Sequence, residues 1–101
     1  LMQSIKKLKH TELHERAVTI TKKFHHTESE LIDVLQEIDE HKVFLAFGYS
    51  SLYDYATKSL KLSEANASNF ITVARKSIII PELKLAIRDG SLTVSKGRKI
   101  C

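Results

Sequence analysis

The residues in this 101-residue chain best able to do chemistry are five histidines and one acidic run. His10 and His14 are four apart, a spacing that sets two imidazoles on one helix face, as a metal pair requires. With no carboxylate or Cys in support, a solvated pair is the simpler expectation. His25 and His26 are adjacent and diverge on a helix. His41 falls on an apolar stripe and is expected to be a partly buried core residue. Glu37, Asp39 and Glu40 form an acidic cluster with no basic or nucleophilic partner at useful spacing, which reads as a solvated face. Cys101 is the single cysteine, so there is neither a disulfide scaffold nor a Cys-rich zinc module, and a reducing, cytoplasmic setting is expected. There is no Gly-rich phosphate loop. The expectation is a protein that is not an enzyme, with no metal and no cofactor.

A second group of residues points to recognition of a polyanion. Ser63, Asn66, Ser68, Asn69 and Thr72 crowd the start of an expected helix over 63–77, with Glu64 in its first turn. Asn can pair with adenine through two hydrogen bonds, and Ser or Thr is less selective. Lys58, Lys61, Arg75, Lys76, Lys96, Arg98 and Lys99 are candidate phosphate partners. The charge is uneven. Residues 1–50 hold seven Lys/Arg against eight Asp/Glu, a net −1, and residues 51–101 hold nine against four, a net +5. A basic half beside a neutral one fits an anion-binding module on a scaffold, and a solvated surface with excess Lys is the plainer alternative. Tyr49, Tyr53 and Tyr55 could stack on bases, but filling a junction between short helices is the more ordinary role.

The elements that must position these groups are helical. Three Gly and one Pro exclude a turn-rich sandwich, and 43% hydrophobic residues are enough for one core. From Leu13 to Phe47 there is neither Gly nor Pro. Leu13, Ala17, Ile20, Phe24, Leu31, Val34/Leu35, Ile38 and Leu45 repeat at helical spacing, which predicts one apolar stripe. Thr27-Glu28-Ser29-Glu30 also reads as a capping box. One long helix or two helices broken near residue 27 are both open, with the unbroken stripe favouring one. Gly48 is expected to stop this segment. Ser50 or Ser51 then caps a short helix from Leu52 to about Leu60, with Leu52, Tyr55, Ala56 and Ser59 or Leu60 inward. Ser63 caps the next helix, Pro81 starts another that Gly90 ends, and Thr93 or Ser95 caps the last. The fold class is therefore all-α: a long N-terminal helical segment over 1–47, then a compact helix-turn-helix bundle over 48–101. In the helix-turn-helix layout of residues 52–78, Leu60 and Leu62 would pin the turn.

The order of these segments resembles a known family. Gly48-Tyr49-Ser50-Ser51-Leu52-Tyr53-Asp54-Tyr55, then Leu60-Lys61-Leu62-Ser63-Glu64, is similar to the helical region upstream of the nuclease module in bacterial HNH endonucleases. Ala67, Phe70-Ile71, Ala74-Arg75, Ile80-Pro81 and Gly90-Ser91-Leu92-Thr93-Val94 continue the pattern, and the acidic stretch Leu31 to Asp39 precedes it. The likeness spans about residues 28–95. The second half is also similar to the helix-turn-helix of ParB-type partition proteins. Both resemblances imply DNA. The first implies the non-catalytic N-terminal part of a longer protein, any nuclease lying beyond Cys101. Phe70 and Ile78-Ile79 stand where that family often has Arg, which removes phosphate partners.

The partners expected are therefore DNA and a second copy of the chain. The stripe is longer than the second half can cover, so a homodimer through the long helix or the Ile78–Ile80 face is expected. The rival reading is a protein–protein module with no direct DNA contact. No run of about 18 apolar residues exists, so no membrane span is expected.

Overall fold

A computed structural model describes residues 9–100, and every described element is helical or a turn. Helix α1 spans His10–Glu40, a single unbroken helix of 31 residues. A 3-10 turn follows at Val43–Phe47. Helix α2 begins at Leu52–Asp54 and continues through a wide turn at Tyr55–Ser59, where the Leu60 N–H reaches back five residues to the Tyr55 carbonyl at 3.1 Å. Helices α3 (Glu64–Ile79), α4 (Glu82–Asp89) and α5 (Val94–Gly97) complete the chain. Cys101 lies outside the described residues.

The short-range signals act where expected. Ser51 Oγ accepts from the Asp54 N–H at 3.0 Å, Ser63 Oγ from Asn66 at 3.1 Å, and Thr93 Oγ1 from Lys96 at 3.1 Å. Each hydroxyl satisfies a helix N–H that has no intrahelical acceptor. Gly90 closes α4 with φ +85°, and a side chain there would also meet the His25 ring, 2.8 Å from an added Cβ. That contact seats the end of α4 directly on α1.

Of the two readings left open for residues 11–47 the favoured single helix holds, and two further expectations are corrected. The Thr27 box does not start a new helix: Ser29 Oγ donates back to the His26 carbonyl at 2.9 Å, inside α1. The long helix ends at Glu40 rather than near Phe47. Lys42 adopts φ 51°, a left-handed conformation, and breaks the helix without a Gly. Gly48, also left-handed, ends the 3-10 turn instead. Finally, the apolar residues of α1 do not form one stripe against the core. Ile32 and Leu35 are fully buried, whereas Leu13, Val18, Ile20, Phe24 and Val34 are exposed. The described residues from Lys9 to Phe24 are all exposed. The first half of α1 therefore projects from the globule, and the molecule measures 49 × 30 × 19 Å.

The core joins Ile32 and Leu35 of α1 to Phe44, Leu52, Ala56, Ala67, Phe70, Ile71, Val73, Ala74, Ile87 and Val94. Ala56 and Ala67, both fully buried, let α2 and α3 approach closely at the corner. Leu62 packs against this core, but Leu60 is exposed and does not pin the turn. Tyr49 and Tyr55 stack edge-on at 5.8 Å in the junction of the short helices. Polar ties fix α1 to the rest. Gln36 Nε2 donates to the Ala74 carbonyl at 2.9 Å, and Lys84 of α4 pairs with Asp33.

Candidate nucleic-acid interface

The α2–α3 corner presents the first turns of α3 to solvent. Ser63 and Asn66 are exposed, and Ser68, Asn69 and Thr72 are half-buried on the same helix. Ser63 is engaged as the cap, so its oxygen already serves the Asn66 N–H. Lys61 sits in the turn just before α3 with φ 62°, the second left-handed non-glycine residue. The lysine is exposed, two residues before the Ser63 cap.

The C-terminal segment lies alongside α3. Arg98 Nη1 donates to Asn69 Oδ1 at 3.1 Å. Lys76 Nζ donates to the carbonyls of Arg98 and Ile100. These contacts hold Arg98 beside Asn69 and bring the segment that carries Lys96 and Lys99 against α3. Lys61, Lys96 and Lys99 have no partner among the described residues.

Of the predicted phosphate partners, Arg98 is tied to Asn69, and Arg75 and Lys76 are used inside the fold. Arg75 makes a two-pronged pair with Asp39 of α1, Nε to Oδ2 at 2.9 Å and Nη2 to Oδ1 at 3.1 Å. Hydrogen bonding by this guanidinium holds the Asp39 carboxyl below its usual value and raises that of Arg75. Lys76 is likewise occupied with backbone carbonyls, so neither offers a free cation to a phosphate. Lys58 remains exposed, with a loose contact to Asp54 at 3.8 Å. Asp39 is thus not part of a solvated acidic face, although Glu37 and Glu40 are exposed. They flank His41, which is itself exposed rather than a core residue, at 3.7 and 3.6 Å. The three have their ligand atoms within 4.8 Å of one another, all at the surface.

Glu64 imposes a limit. It lies in the first turn of α3, where the helix dipole favours an anion. Tyr53 Oη donates to its carboxylate at 3.2 Å, and partial desolvation of the phenol together with that carboxylate raises the tyrosine above its ordinary value. The N-terminus of α3 is therefore already supplied with negative charge, which disfavours a phosphate on its axis. The polar side of α3, flanked by Lys61 and the C-terminal cations, is the surface left for a polyanion.

Sequence reasoning missed Asp39 and Gln36 as positioning residues. Asp39 is 36 residues from Arg75, a pairing that no local spacing encodes. Comparison with known proteins gives no matching family model, no matching curated protein and no matching solved structure.

Proposed function

We propose that this chain is a DNA-binding or DNA-positioning helix-turn-helix module. The observation that carries the reading is the juxtaposition on α3: Asn66, Asn69 and Thr72 on one helix, with Lys61 before them and Lys96, Arg98 and Lys99 beside them. Side chains near the start of the second helix read base edges in such motifs, while surrounding cations meet phosphates. The resemblance to the region preceding an HNH nuclease supports the same role. Since Arg75 and Lys76 are consumed internally, affinity rests on few cations. A dissociation constant of roughly 10⁻⁴–10⁻⁶ M at physiological salt is expected, the range of non-specific complexes.

Titration of a labelled duplex at low salt, followed by anisotropy, tests this. Lys61→Ala should weaken binding to every sequence and lower the salt slope by about one. Asn66→Ala should cost about 1–3 kcal/mol on a preferred site and little on random DNA. Absence of binding at low salt would overturn the reading.

A second reading has its own observation. Ile78 and Ile79, at the far end of α3, are 65% and 83% exposed. An apolar end of this kind favours a protein partner, and in that case Ile79→Asp abolishes association while DNA never binds.

A further inference from the structure

We propose that two copies of this chain pair antiparallel along α1, the projecting half of each helix lying on the partly exposed stripe of the other's globular half. The pairing face lies on α1 and is distinct from the polar side of α3.

The apolar residues of α1 separate into two sets once burial is known. Ile32 and Leu35 face the chain's own core. Roughly a quarter turn round the helix runs a second stripe: Leu13, Ala17, Ile20, Phe24, Thr27, Leu31, Val34 and Ile38, spaced alternately four and three apart. That is the seam of a two-stranded coiled coil. Leu13, Ile20, Phe24 and Val34 are exposed, and Leu31 and Ile38 are half-buried, touching the chain's own core on one side and leaving the other side open.

Charge identifies the occupant as a second copy. One flank of the seam, every seventh residue, carries Arg16, Lys23, Glu30 and Glu37. It is cationic on the projecting half and acidic on the globular half. The Glu30 and Glu37 side chains are 64% and 71% exposed. An antiparallel partner sets Arg16 against the partner's Glu37 and Lys23 against the partner's Glu30, and the two-fold repeats both pairs. The same register brings Leu13 opposite the partner's Ile38, Ala17 opposite Val34 of the partner subunit, Ile20 opposite the partner's Leu31 and Phe24 opposite the partner's Thr27. The bulkiest seam residue thus meets one of the smallest. A parallel pair would instead set Lys23 against the partner's Glu28 and Glu30 against the partner's Leu35. Glu28 is only 18% exposed at its side chain, far less than Glu30 or Glu37, and Leu35 is fully buried.

Sedimentation equilibrium of the whole chain at micromolar concentration tests the proposal. The expected mass is twice that of the chain. Phe24→Glu, at a side chain outside the core, should give monomers with unchanged helicity. Lys23→Glu and Glu30→Lys should each weaken association about tenfold, since each turns two attractive pairs repulsive. Both changes in one chain should restore it. A monomeric parent protein, a doubly changed chain no better than either single variant, or dissociation by Ile79→Asp with Phe24→Glu still dimeric would each overturn the proposal.

Discussion

At the residue scale the Asp39–Arg75 pair illustrates how a candidate binding group becomes a structural one. Arg75 is exposed and basic, yet its guanidinium is committed across 36 residues of sequence to α1. Asp39→Asn should cost about 0.5–1 kcal/mol near neutral pH, a modest value because Arg75 remains more than half exposed. The pH dependence has a definite sign. The folded-state value of Asp39 lies below its unfolded value near 3.9, so the contribution is complete above that value and disappears as pH falls through the lower folded one. Urea melts of parent and variant should therefore converge in acid. Lys61 offers the opposite case. Its left-handed backbone is strained for any residue with a Cβ. Lys61→Gly should stabilise the fold by about 0.5–1 kcal/mol after the entropy cost of glycine, and thermal unfolding measures this. On the proposed DNA reading the same change loses a phosphate partner, so stability and binding would move in opposite directions.

At the element scale the starts of α2, α3 and α5 each rest on one hydroxyl. Ser63→Ala should lower stability by about 1 kcal/mol by leaving the Asn66 N–H without its acceptor, and chemical denaturation reports it. Such caps, together with Pro81 and Gly90, were legible because their physics is local: a hydroxyl three residues ahead of an N–H, a ring that fixes φ, a residue free to go left-handed. What was illegible depended on distance or on an unusual conformation. The end of α1 lies at His41–Lys42, and Lys42 gives no sign in the sequence that it will take a positive φ. The Thr27 box carried the right residues, but helix continuity outcompeted it, with Ser29 turned back to His26. The α1 stripe looked single because Val34 and Leu35 are neighbours that serve different faces. Burial separated them; periodicity could not. Of the candidate site, the polar face of α3 was legible from the Ser63 cap and the helical spacing. The internal engagement of Arg75 and Lys76 was not, because their partners lie on α1 and in the C-terminal segment.

At the scale of the whole molecule the projection dominates. The radius of gyration is 16.2 Å, against about 13 Å for a compact chain of this length. Since the described residues through Phe24 are all exposed, removing residues 1–24 should leave the core intact. Measured against the monomeric Phe24→Glu variant, the shortened protein should unfold cooperatively within about 1 kcal/mol, because little apolar area would be lost from the folded core. Small-angle scattering should show its radius of gyration falling toward the compact value.

The unbroken run of α1 across residues 24–29 also makes chain length an angular setting. Each residue added there turns everything before it by about 100° relative to the core and advances it by about 1.5 Å. One alanine inserted between His26 and Thr27 would leave both halves helical, yet swing Leu13, Ile20 and Phe24 out of line with Leu31, Val34 and Ile38. Seven inserted residues would return them to nearly the same azimuth and only lengthen the arm. If the seam joins two copies, single insertion should yield monomers and the seven-residue insertion dimers, so in this stretch the count of residues matters more than their identity.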